Sequence, residues 1–182
     1  MAPRSLPNAT EHSPLFEGTY DALHALAGVA ESGGRGLIFK PHPNIPAITE
    51  QRIRSIPENV ALLEFANIFE CILETDVMVT VLSSASYLSM IHERPVVLLG
   101  KMSLWGKGCV YEVSSRDEIG RVLDTALQDG FTDEQRQHWR KHAAQLIRYY
   151  LFAYDESAVA RIGRDVDAAA AFILTHCKAT VG

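Results

Sequence analysis

The sequence predicts an α/β fold, a single domain on a parallel, doubly wound sheet with helices gathered at its C-terminal end. Three observations carry this. Short apolar runs at Gly36-Leu37-Ile38-Phe39, Val60-Ala61-Leu62-Leu63, Val77–Leu82 and Pro95–Gly100 alternate with stretches of helical periodicity, and such alternation implies parallel strands joined by right-handed crossovers. The run Val77-Met78-Val79-Thr80-Val81-Leu82 is continuously apolar and rich in β-branched residues. A strand buried on both faces reads this way, so it is expected at the sheet centre. In the last third, Trp139, Ala143, Ile147, Tyr150 and Tyr154 form one stripe and Val159, Ile162, Val166, Ala169 and Ile173 another. Their three- and four-residue spacings predict helices packed on the sheet.

Residues 1–17 hold Pro3, Pro7 and Pro14 among polar neighbours and are expected to form an extended arm. The sheet domain is assigned to 18–130 and the terminal helices, packed on the same domain, to 131–182. Leu23, Leu26, Ala27 and Ala30 recur at helical spacing over 19–31, and Ser32-Gly33-Gly34-Arg35-Gly36 ends that helix. The apolar run to Phe39 is expected to be a buried strand, stopped by Lys40-Pro41-His42-Pro43 because each proline fixes φ and removes a donor. Further helices are predicted over 48–56, 68–74 and 87–92, and a short strand over 109–113. Ser114-Ser115-Arg116-Asp117-Glu118 reads as a capping sequence for a helix running to about residue 128.

The chain has 182 residues, 47% of them hydrophobic, and a formal net charge of −5. That argues against general nucleic-acid binding, which draws on clustered Lys and Arg. Cys71, Cys109 and Cys177 have no paired spacing and suggest neither disulfides nor a zinc site. No apolar run approaches the length of a membrane span. These features predict a soluble protein of the reducing cytoplasm, with attachment to the membrane surface left open.

Two turns carry candidate chemistry. Ligands of open α/β sheets gather at the carboxyl ends of the strands, and the stiff Lys40–Pro43 loop would bring an ammonium and the His42 imidazole there, suiting an anion. The other reading is a surface turn with incidental cations, and Lys40, two residues before His42, could face away from it. Ser83-Ser84 follows the predicted central strand and opens a helix, where hydroxyls and unpaired N–H groups suit a phosphate oxygen. Ordinary capping by one of the serines is the alternative. A protonated His42 beside a phosphate would offset leaving-group charge and could donate a proton. Gly100–Lys107 has the wrong spacing for a phosphate-cradling P-loop, and its glycines read as loop flexibility or turn chemistry. No dinucleotide or nucleophile-elbow motif is present, His138 and His142 read as a solvated helix face, and no cofactor or metal is expected.

Taken in order, Lys40-Pro41-His42-Pro43, Asp76–Ser84, Glu93–Gly100 and Val110–Val113 resemble the C-terminal half of bacterial capsule polysaccharide biosynthesis proteins, among them Kdo-transferase-type glycosyltransferases of GT-B architecture. The resemblance spans roughly 36–154 and implies a Rossmann-like domain that binds a nucleotide-activated sugar, commonly a CMP-linked keto acid. Bacterial sialyltransferases carry a comparable His-Pro and Ser-Ser pair. By position it implies that His42, within the His42-Pro43 pair, contacts the nucleotide phosphate as the catalytic residue. Ser83 and Ser84 become further phosphate ligands, and Glu64 a ribose ligand. GT-B enzymes use a second, N-terminal domain for acceptor contacts and the catalytic base. Only the arm and one helix precede the first strand here, so the expectation is a donor-binding half that meets its polysaccharide or glycolipid acceptor through a separate domain. A CDP-glycerol-type polymer phosphotransferase half and a non-catalytic assembly module are the alternatives, with a sugar-nucleotide epimerase half behind them.

Overall fold

The computed structural model describes residues 13, 15–41 and 55–149. The predicted helix over 48–56, up to residue 54, and both His42 and Pro43 lie outside these residues, as does everything from Tyr150 onward. The chain divides into two compact units, Met1–Trp139 and Arg140–Gly182. The described strands all belong to the first.

Helix α1 (Thr19–Ser32) is followed by β1 (Leu37–Phe39), β2 (Val60–Leu62), α2 (Ile68–Leu73), β3 (Met78–Thr80), α3 (Ala85–Ile91), β4 (Val96–Leu98) and β5 (Tyr111–Glu112). A 3₁₀ turn, Arg116–Glu118, leads into α4 (Ile119–Asp129), and α5 (Asp133–Tyr149) comes next. The fold is mixed α/β, and among the described residues all three strand pairings are parallel. The strands form two sheets, β1-β2 and β3-β4-β5.

Helix α1 bridges them. Its Leu23 and Ala27 pack with Val60 and the first sheet, while Ala22 and Leu26 pack with Val97, Leu99 and Val113 of the second. It ends where the sequence places its stop. Gly34, at φ +64°, takes the left-handed conformation that glycine adopts without steric penalty. Arg35 N–H then reaches Ala30 O at 2.8 Å, and Gly34 N–H reaches Glu31 O at 3.1 Å, closing a Schellman motif.

The strand buried on both faces is β4, not β3. Val96, Val97 and Leu98 are essentially inaccessible, because Val97 faces the α1 and α4 layer while Val96 and Leu98 face Met90 of α3, Leu104, Cys109 and Phe131. Strand β3, expected at the centre, is only half-buried. Among the described residues its hydrogen-bonded neighbour is β4 alone, so it forms an edge of its sheet. The expectation of a buried β1 is also corrected, since Ile38 is 40% exposed: α1 covers one face of this two-stranded sheet, and Ile38 points from the other.

The end of the expected arm is docked. Ser13 and Phe16 are buried, and Ser13 Oγ donates to Leu99 O at 3.0 Å. Trp139 packs as predicted, against Tyr87 with ring centroids 5.6 Å apart. Ile147 of the same stripe belongs to the second unit.

Candidate ligand site at the carboxyl edge

Because β3, β4 and β5 are parallel, their carboxyl ends share one edge. Ser83 and Ser84 leave β3 there. Ser83 takes the capping role, its Oγ accepting from Ala85 N–H at 3.2 Å and its carbonyl accepting from Ser86 N–H and Ser86 Oγ. A hydroxyl has one donor and two acceptor sites, so Ser83 O–H keeps its hydrogen for a ligand. Ser84 is exposed and its side chain caps nothing.

The loop after β4 is tied to this turn. Tyr87 OH and Ser103 Oγ lie 2.5 Å apart, and Ser86 Oγ donates to Met102 Sδ at 3.9 Å. Its middle is anchored by Leu104, which is fully buried. Gly106 N–H donates to Glu112 Oε1 at 2.6 Å, and His138 Nδ1 lies 3.1 Å from Gly108 O. The glycines that suggest flexibility therefore sit in a pinned loop, and His138, read as solvated, is a half-buried part of the pin. Arg136 is likewise held, its guanidinium 5.7 Å from the Phe131 ring centroid and paired with Glu93 and Asp133.

Beyond the ends of β4 and β5 lies a cavity of about 320 Å³, lined by Leu15, Leu99, Gly100, Lys101, Trp105, Val113 and Ser114. Leu99 and Val113 are fully buried, whereas Lys101 and Ser114 are exposed. Lys101 Nζ sits 5.9 Å from the Trp105 ring centroid, and among the described residues it forms no ion pair. The Leu15 wall is held from behind. Arg116 Nε donates to Leu15 O at 2.7 Å, its guanidinium lies 4.8 Å from the Phe16 ring centroid, and it pairs with Asp21. Glu17 N–H and Arg116 hold the Asp21 carboxyl below its ordinary pKa.

Lys40 and Glu64 belong to the other sheet. They follow β1 and β2, whose carboxyl ends form an edge of the other sheet, and Leu63 N–H donates to Phe39 O at 3.0 Å between them. Both side chains are half-buried. No hydrogen bond between the sheets joins this pair to Ser83 and Ser84 among the described residues. Nor do three His, Cys, Asp or Glu side chains come together there as a metal site would require. Sequence reasoning missed Lys101, Trp105 and Ser114. The available signal was a lysine directly after the apolar run Pro95–Gly100, passed over because the stretch fails as a P-loop.

Fold and site together define an α/β domain of parallel strands with hydroxyl groups and a cationic cavity at one carboxyl edge. Comparisons with protein-family models, curated proteins and solved structures find no match.

Proposed function

We propose that this chain binds a nucleotide-activated sugar, CMP-linked, as the donor-binding half of a glycosyltransferase for capsule or surface polysaccharide. The observation that carries the reading is the Ser83-Ser84 turn, two hydroxyls at the carboxyl rim of parallel strands, where such sheets receive ligands. Phosphate oxygens would accept from both hydroxyls, with Ser83 held in place by its bond to Ala85 N–H. His42 would stand at the same phosphate as the leaving group departs, and Lys40 and Glu64 would face the nucleoside from the β1-β2 edge. The acceptor would come with a separate domain, in the cytoplasm or at the inner face of the membrane. Among the described residues no helix is long and apolar enough to cross a membrane.

Calorimetric titration with CMP, CDP and UDP tests this. The Ser83→Ala, Ser84→Ala double variant and His42→Ala should each weaken the preferred nucleotide by roughly ten- to a hundredfold, the loss of a hydrogen bond to a charged group. Preference for a CDP-alcohol would favour the polymer-phosphotransferase alternative. Absence of nucleotide binding would remove the proposal.

A second reading, an assembly module, draws on exposed apolar side chains at and after the end of β2. Phe65 is 94% exposed, and Phe69, Leu73 and Ile91 are exposed with it. Glu64, Glu70 and Glu74 flank them in sequence, so a partner with basic and apolar character would fit. If the partner is a second copy, light scattering should record an oligomer that Phe65→Ser, Phe69→Ser dissolves. A monomer at every concentration would count against self-assembly.

A further inference from the structure

We infer that the exposed face of α2 is a docking surface for a basic amphipathic helix of another protein, with Phe65, Phe69 and Leu73 receiving its apolar stripe and Glu70 and Glu74 facing its cations. The inference rests on the assembly-module reading above and commits that reading to one kind of partner, distinct from a second copy of this chain.

The face follows from the helix itself. Ile72 is buried, whereas Phe69 and Leu73, one turn apart, are 48% and 47% exposed. Residues four apart in a helix share a face, so α2 buries one side and presents a second apolar side outward. Phe65, almost wholly exposed, stands two residues before the Asn67 cap and adds a ring at the amino end. The end of α3 joins the patch: the Phe69 and His92 rings meet edge to face with centroids 6.0 Å apart, and Ile91, next to His92, is exposed. Single apolar residues scattered on a surface need no explanation, but several large ones gathered on anchored backbone mark an interaction site. Anchoring is visible at both ends of α2. Asn67 Oδ1 accepts from Phe69 N–H at 2.9 Å, and Arg94 Nη2 donates to Leu73 O at 2.7 Å.

Charge selects the occupant. Glu70 and Glu74 are exposed one turn apart along α2, and exposed Asp76 follows. Among the described residues none of these three carboxylates forms an ion pair, and the Arg94 guanidinium is committed to the Leu73 carbonyl. An apolar patch beside unpaired carboxylates complements a helix whose apolar stripe is flanked by Lys or Arg. The same carboxylates disfavour other occupants. An isologous dimer through this face would bring Glu70, Glu74 and Asp76 towards their own copies, and an anionic lipid surface or a nucleic acid would meet like charge. With six residues, α2 offers only about 9 Å of axis, so the contact is small and of the transient class.

Fluorescence anisotropy of the full chain with labelled synthetic peptides tests this. The first peptide, of about 18 residues so that it holds a helix, carries leucines at i, i+3, i+4 and i+7 spacing flanked by lysines. A second replaces the lysines by glutamates, and a third replaces the leucines by serines. The wild type should bind the first at least about tenfold more tightly than either of the others, and added salt should weaken that binding. Phe69→Ser should weaken it by roughly tenfold. The Glu70→Lys, Glu74→Lys variant should reverse the preference between the lysine and glutamate peptides, an effect that loss of folding cannot imitate. All three side chains are exposed, and melting curves accompany each variant.

Equal binding of the lysine and glutamate peptides, or binding that Phe69→Ser and the charge reversal leave unchanged, would overturn the inference. So would a preference for vesicles of phosphatidylcholine and phosphatidylglycerol over the lysine peptide, which would give the patch to a membrane surface. If no peptide binds and light scattering records an oligomer that Phe65→Ser, Phe69→Ser dissolves, the face belongs to a second copy: the inference falls and the assembly reading stands. A monomer that binds no peptide would remove both.

Discussion

Gly108→Ala probes the loop that carries Lys101 and Trp105. Gly108 has φ +70°, and a methyl group built on it would lie 2.5 Å from His138 Nδ1. Two costs arise. Holding alanine in the left-handed region costs about 1–2 kcal/mol, partly offset by about 0.4–1 kcal/mol because the unfolded chain loses freedom. The ring must also move, and its hydrogen bond with Gly108 O is worth about 0.5–1.5 kcal/mol. The expected loss is about 2 kcal/mol, a fall in Tm of roughly 4–8 °C for a chain of this size. In a His138→Ala background the contact and the hydrogen bond are already gone, so Gly108→Ala should cost only about 1 kcal/mol, the part due to the backbone. Urea denaturation of the four proteins of this cycle reads the difference. Additivity within about 0.3 kcal/mol would refute the coupling and with it the view that His138 pins the loop.

Three further outcomes are expected. Glu93, at φ +57° after α3, holds a left-handed position without being glycine, so Glu93→Gly should raise stability by about 0.5–1 kcal/mol in the same denaturation assay. Asp21 has a lowered pKa, so the stability it contributes is present above the ordinary carboxylate range and is lost as pH falls through its lowered folded value. Asp21→Asn should therefore lower the stability read by urea denaturation at pH 7, by less than about 1 kcal/mol for this exposed pair, and flatten the pH dependence below about pH 4. Burial pushes the Cys109 thiol up to about 11. Alkylation at pH 8, followed by mass spectrometry, should label half-buried Cys71 well before Cys109, and the stability held by the neutral Cys109 thiol should decline as pH rises from about 9 towards 11.

Element positions were largely legible in the sequence, because periodicity and punctuation are local. The stop of α1 at Gly33-Gly34 follows from residues adjacent in the chain, as does the start of α2, where the Asn67 side chain accepts from Phe69 N–H at 2.9 Å. The capping sequence before α4 was half legible. Glu118 does reach back, but to Ser114 N–H, and the Ser115 side chain caps nothing. Strand burial was not legible: β3 and β4 are both continuous apolar runs, and which becomes central depends on what pairs alongside. The candidate site divides in the same way. Ser83 and Ser84 were visible as a strand-to-helix turn, whereas the cavity needs Leu15 beside Val113, nearly a hundred positions apart.

The amino-acid sequence by itself determined the α/β class, the order of strands and helices, and the serine pair at a strand end, because each depends on side-chain spacing and backbone preference within a few residues. Tertiary structure alone decided that the strands form two sheets bridged by α1, that β4 lies at the core, and that Lys101, Trp105 and Ser114 meet around one cavity with the N-terminal segment as its wall. Burial and charge pairing are properties of neighbours in space, and those neighbours are chosen only when the whole core packs.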